Sequence, residues 1–318
     1  MQQKVFKTAL VLSGGSARAL THLGVLEEIE RHGLPVDIVV GTSMGAIIGA
    51  LYALYGSTAP ILERLRRLVG SDLFLKAVSV AGSDSLQVAA DNTLNRFIWL
   101  FKSGIYCTQS VMQSTMVSES DYLKIMSDLI PDVSMDELKI PFAAVAMDLI
   151  SGEEIVLAGG SLLAAVSASA AIPGILPSVT LHGRRLVDGG WVDNVPVAPA
   201  FALGAHFVLA VDASLSMDEL GPPPTAALES LLRSNEISRI LLNRYRKASA
   251  DIMLTPRIGK MHWANFAALE PCTTAGRKAF EENLSLITES MHRHRDDFAK
   301  GIFHPHPGDP LHPFTILS

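Results

Sequence analysis

Basic residues never cluster in this chain. Its 318 residues hold 26 Lys and Arg against 32 Asp and Glu, a formal net charge of −6, with no block of five or more Lys or Arg. Nucleic-acid binding draws on a basic footprint, so no nucleic-acid partner is expected. Strong electrostatic docking on anionic lipid lacks a polybasic segment to carry it. Cysteine is scarce too: Cys107 and Cys272 lie far apart and match no metal or redox spacing, which suits free thiols in a reducing compartment. Long apolar runs are also missing. The chain is 48% hydrophobic and only 18% charged, yet no stretch approaches the roughly 18 uninterrupted apolar residues of a membrane span. The apolar surplus points instead to large buried elements on a sizeable core.

The amino-terminal stretch has two lysines and an apolar run, but Thr8–Leu12 is too short for the core of a signal peptide and Gly14–Gly15 interrupt it. It reads as a first strand, and the expected location is the cytoplasm. No internal repeat occurs, and one domain over 1–318 is expected. Its motif-bearing core lies at about 5–215, a helical insertion at 57–135, a carboxy-terminal strand and helices at 225–300, and an extended tail at 303–318.

Local patterning starts as strand 5–12, helix 18–31, strand 36–40 and helix 44–55, the last apolar all round. Such a βαβα opening predicts an α/β fold with a mainly parallel sheet between two helical layers. Further on, 142–149 and 153–158 read as a hairpin, 161–170 as a helix, 184–187 and 206–212 as strands. Then come a helix at 225–248, a strand at 251–255 and one helix over 273–295. The apolar stretch 96–101 suits core packing, with a lid or lipid-contacting surface as the other reading.

Three segments carry candidate chemistry. In GTSMG, Gly41–Gly45, Ser43 follows a strand and precedes a helix, the setting of a nucleophile elbow. Glycines at 41 and 45 let the backbone turn sharply, and the helix N-terminus favours developing negative charge. The alternative is a plain N-cap serine. In SGGSAR, Gly14 and Gly15 open a strand-to-helix turn that is neither a dinucleotide fingerprint nor a P-loop. Its backbone N–H groups can hold an oxyanion. In LVDGGWVDN, Asp188 sits after a strand and before Gly189 and Gly190, a carboxylate in an open turn or an Asx-type turn; Asp193, five residues on, is a rival carboxylate. No histidine stands where a Ser-His-Asp triad needs it: His206, His262, His292 and His294 read as structural or solvent-exposed. No metal site is expected; Asp148 has no ligand partner at a readable spacing, and His304 and His306 read as a solvated tail.

These segments, GGSAR at 14–18, GTSMG at 41–45, SASAAIPG at 167–174 and DGG at 188–190, stand in the order seen in patatin-like phospholipases, which the chain resembles over most of 8–212. The resemblance implies a patatin-like three-layer α/β/α sandwich and a serine acyl hydrolase of lipid esters, of phospholipase A or lysophospholipase type. It assigns Ser43 as nucleophile and Asp188 as its partner in a Ser–Asp dyad. Gly14, Gly15 and Ser16 would supply the oxyanion hole with help from the Met44 N–H. Arg18 would orient the loop or favour an anionic head group. No cofactor is implied. The partners implied are a lipid or other acyl ester and a transient membrane-surface contact, and the oligomeric state is unassigned. Ser16 and Ala19 replace two glycines of the family motif; where the third glycine position needs positive φ, a serine costs on the order of 1 kcal/mol. Two other readings use the same residues: a catalytically weak acyl-binding or regulatory protein, and an acyltransferase.

Overall fold

The computed structural model describes residues 5–80, 115–225, 227–259, 261–302 and 313–318. The 96–101 run, Cys107, His304 and His306 lie outside them.

The chain opens with β1 (Thr8–Leu12), a 3₁₀ turn (Ser16–Leu20), α1 (Thr21–His32), β2 (Ile38–Thr42) and α2 (Met44–Tyr55). Next come α3 (Ala59–Val69), α4 (Asp72–Val80) and α5 (Glu119–Leu129). The middle holds β3 (Phe142–Asp148), β4 (Glu154–Leu157), α6 (Leu162–Ala170), β5 (Val179–Leu181), β6 (Arg184–Asp188), α7 (Val197–Ala202) and β7 (Phe207–Val211). The last part is α8 (Ala227–Arg246), β8 (Ile252–Leu254), α9 (Leu269–Glu281), α10 (Leu284–Ala299) and β9 (Phe314–Leu317). Among the described residues no helix is long and apolar enough to cross a membrane.

The nine strands among the described residues join one mixed sheet, in order β5-β6-β3-β2-β1-β7-β8, with β4 on β3 and β9 on β4. The pairs β2–β3, β1–β2, β1–β7 and β7–β8 are parallel. Strands buried on both faces explain the continuous apolar runs. Alternate side chains serve two cores. Leu10, Leu12, Val39, Leu209 and Val211 face a thick layer that includes α1, α2, α6 and α9. Ala9, Val11, Val40 and Val208 face a thinner one with Val197 and Ala200 of α7. The architecture is the expected α/β one, helices on both faces of a mainly parallel sheet.

Strand β3 arranges the rest. Its Ala144 and Val145 pair with both β2 and β4, so those two take opposite edges. Its Ala146 and Met147 pair with both β4 and β6. Strand β6 therefore lies on the edge β2 occupies, antiparallel and meeting it end to end. Thr42 is opposite Val145 and Asp188 is opposite Ala146, on neighbouring rungs.

Two elements differ from the sequence reading. The helix expected at 273–295 is two helices, broken at Glu282–Asn283, where the Asn283 side chain donates back to the Ala279 carbonyl (2.8 Å). The tail contains β9, which pairs in parallel with β4.

Candidate active site

Ser43 occupies the tip between β2 and α2 with φ 56° and ψ −125°, a left-handed conformation costing a non-glycine residue on the order of 1–3 kcal/mol. Its surroundings hold it there. The Ser43 N–H donates to Ser169 Oγ (2.9 Å), and Ser169 donates in turn to the Val145 carbonyl (2.6 Å). One hydroxyl thus ties the tip of β2 to α6 and β3. The Ser43 carbonyl accepts from the N–H groups of Ala46 and Ile47 (2.9 and 3.1 Å), starting α2. The flanking glycines serve close approach, not conformation, since neither has positive φ. A Cβ on Gly41 would lie 2.5 Å from the Gly45 carbonyl, and one on Gly45 would strike the Leu12 carbonyl.

Asp188 ends β6 and is 3% exposed. Its Oδ1 accepts from the Gly190 N–H (2.8 Å). Burial pushes its pKa up to about 6; the Ser43 hydroxyl, donating to it, the Gly190 N–H and the positive field of Arg239 pull the other way. A Cβ on Gly189 would strike the Val145 carbonyl, so the turn after Asp188 lies flat on β3. Asp193, the rival base, is turned elsewhere. Its carboxylate pairs with Arg246 (3.2 Å), which also pairs with Glu154, all three side chains being at most 3% exposed. Burial and the neighbouring Glu154 raise its pKa.

The glycine-rich turn lies beside Ser43: a Cβ on Gly14 would come 3.1 Å from the Ser43 Cβ. Gly15 has φ 154° and Ser16 φ 49°, so the third motif position is left-handed and carries the strain expected of a serine there. The structure removes Gly14 from the free donors, because its N–H donates to the Asn194 carbonyl (3.2 Å). Among the described residues no hydrogen bond takes the N–H groups of Gly15, Ser16 or Met44; Ser16 and Met44 begin helices, where such groups lack intrahelical partners.

Arg18 is buried and engaged at every arm. It donates to the Ala213 carbonyl (3.2 Å), the Gly259 carbonyl (3.0 Å) and both oxygens of Glu219 (3.1 and 3.0 Å). Those contacts tie the turn after Gly15 to the segments around Ala213, Gly259 and Glu219. His22 Nε2 donates to the Ser13 carbonyl (2.8 Å), and burial drives its pKa down to about 4, so the ring stays neutral. Asn194 accepts from Gly14 N–H and donates weakly to its carbonyl (3.4 Å), clamping the turn. Asn194 and Ser169 hold the two turns of the site through polar atoms that meet backbone far away in the chain, which leaves no local pattern in the sequence.

From Ser43 an apolar cleft of about 910 Å³ opens, partly to solvent. Met44 and Ile47 of α2 and Ile172, Ile175 and Leu176 line it, together with residues of α3, α4 and α5 such as Leu65, Phe74 and Met126. None of the described histidines lines it. His206 accepts from the Lys7 N–H, His262 from the Ala264 N–H, and His294 pairs with Asp251; His292 is exposed.

The family profile described as patatin-like phospholipase matches residues 10–201, well over half the chain and every segment just placed around the cleft. The chain belongs to the patatin-like phospholipase family. This patatin-like chain is 30% identical over 213 residues to lysophospholipase NTE1 of Mycosarcoma maydis, the match covering 67% of this chain and 10% of that one. It is 32% identical over 213 residues to mouse patatin-like phospholipase domain-containing protein 6, covering 66% and 14%. An uncharacterized NTE family protein of Mycobacterium bovis is 29% identical over 216 residues, covering 68% and 51%. The patatin-like chain therefore aligns with about half or less of the length of these relatives. Among solved structures, human GIVD cytosolic phospholipase A2 aligns with 93% of this chain and 61% of its own at a TM-score of 0.47 and 13% identity. VipD from Legionella pneumophila aligns with 90% and 67% at 0.43 and 14%.

Proposed function

We propose that this protein is a serine acyl hydrolase that cleaves carboxylic esters of lipids through a Ser43–Asp188 dyad. The observation that carries it is the end-to-end meeting of β2 and β6, with the Ser43 hydroxyl hydrogen-bonded to the buried Asp188 carboxylate beside an apolar cleft. Ser43 Oγ attacks the ester carbonyl carbon while Asp188 takes its proton. The oxyanion is held by the N–H groups of Gly15, Ser16 and Met44. The tetrahedral intermediate collapses to an acyl-serine, and Asp188 returns the proton to the departing alcohol. Water then attacks the acyl-serine with Asp188 again as base, releasing the acid. A free aspartate, near pKa 3.9, is a feeble base; burial that lifts Asp188 to about 6 makes it stronger while leaving it ionised at neutral pH.

The cleft fits an acyl chain, which gains from leaving water, and two relatives carry lysophospholipase or phospholipase in their names. A lipid with one acyl chain is the proposed substrate, reached by transient contact with a membrane surface. Hydrolysis of short- and long-chain esters by wild type, Ser43→Ala and Asp188→Asn tests the dyad. Both variants should lose at least about a thousandfold in kcat, and Ser43→Ala alone should fail to take a fluorophosphonate label. Equal rates in all three would remove the dyad. Folded wild type that neither hydrolyses nor labels would favour an acyl-binding role.

A further inference from the structure

An ester has two arms, and the surroundings of Ser43 differ on its two sides. The apolar cleft bounded by α2 to α6 takes the acyl arm. The alcohol arm must lie toward Asp188, because that carboxyl returns its proton. Beyond Asp188, in the 3₁₀ turn it begins, stands Trp191. The guanidinium of Arg239, from α8, packs over that indole at 5.0 Å from the ring centre.

Arg239 differs from the other two arginines near the site. Arg18 is saturated by its carbonyls and Glu219. Arg246 is buried between Glu154 and Asp193. Arg239 makes one ion pair, to Glu236 at 3.1 Å on its own helix, with side chains 23% and 28% exposed. Its Nε is buried with no hydrogen-bond partner. Its charge reaches the site, since it is felt at Asp188. A pair as exposed as Arg239–Glu236 contributes little, so an anion can displace Glu236 at small cost. The freed Nη donors then face the phosphate oxygens, whose geometry a planar guanidinium suits.

We infer that Arg239, braced on Trp191, is a specificity residue that recognises an anionic phosphate on the alcohol arm of the substrate. The inference rests on Ser43 and Asp188 being the reacting pair. The acyl chain lies in the cleft, the ester sits at Ser43, and the phosphate of a lipid head group sits under the α8 guanidinium. A neutral alcohol arm gains nothing from Arg239.

The test is binding of two uncleavable ether lipids of equal chain length, 1-O-octylglycerol 3-phosphate and 1-O-octylglycerol, to wild type, Arg239→Gln and Arg239→Lys. Wild type should prefer the phosphate lipid. Arg239→Gln should weaken it about tenfold, equivalent to about 1.4 kcal/mol, and leave the neutral lipid unchanged, which also shows that the cleft is intact. Arg239→Lys should keep part of the preference. An equal loss for both lipids, no loss for either, or no preference in wild type would overturn the inference. Ester hydrolysis is read separately. Phosphate discrimination without any hydrolysis by wild type would strike the dyad and spare Arg239; hydrolysis without discrimination would do the reverse.

Discussion

At the scale of single residues, Asp188 stands out because folding works against its charge. Burial lifts its pKa from 3.8 to about 6, so between those values the folded chain holds a proton that the unfolded chain has released. Stability contributed by this group is therefore greatest below about pH 4 and falls as pH rises to 6. Above pH 6 the full cost of the buried charge is present, on the order of 2–3 kcal/mol at 1.36 kcal/mol per pKa unit. Asp188→Asn should accordingly raise stability in urea melts at pH 7–8 and show no gain near pH 4, while removing activity. The same ionisation should appear in wild-type kinetics as a limb of kcat/KM that rises through about pH 6 and is flat above it. A gain over wild type no larger at pH 8 than at pH 4 would mean that Asp188 is not a strained ion. Ser43 and Asp188 were legible from sequence because a glycine-flanked tip must be local to work. Ser169 and Asn194 were not, since their bonds to Ser43 and Gly14 join segments that only the folded sheet brings together.

Among the elements, the crossing of α1 and α9 has the least room. A Cβ on Gly24 would strike the Thr273 carbonyl, and one on Gly276 would strike the Thr21 carbonyl. Both contacts are backbone, so no flexible side chain can yield. Gly276→Ala gains helix propensity of about 1 kcal/mol but must push the helices apart, and overpacking costs about 1–3 kcal/mol or more. We expect a net destabilisation of about 1–2 kcal/mol by chemical denaturation; a neutral or stabilised mutant would show that the helices part freely. Because α1 follows the glycine-rich turn directly, such a mutant should also lose activity beyond its loss of stability. The continuously apolar elements, such as α2 and β7, were readable within a residue or so. The short ones were not. β5 has three residues and hangs on a two-residue hairpin, His182–Gly183, with φ of 51° and 73°. β9 is only partly buried and is ordered by its partner β4. Strands of that kind owe their existence to pairing, and nothing in their own composition announces it.

Across the whole molecule, one buried charge cluster joins three distant parts: Glu154 on β4, Asp193 in the loop after β6, and Arg246 at the end of α8. Removing the cation leaves two carboxylates in a dry interior. Arg246→Met should destabilise the protein by about 3–5 kcal/mol, and combining it with Glu154→Gln and Asp193→Asn should recover most of the loss. A single mutant that melts like wild type would show that the cluster contributes only shape. Since Asp193 lies five residues beyond Asp188 and α8 carries Arg239, the single mutant should also disturb the alcohol side of the site before the acyl cleft.

The head-on meeting of β2 and β6 has a consequence for biosynthesis. Ser43 leaves the ribosome 145 residues ahead of Asp188. Until the sixth strand docks, the nascent polypeptide carries the Ser43 hydroxyl without the Asp188 carboxylate beside it.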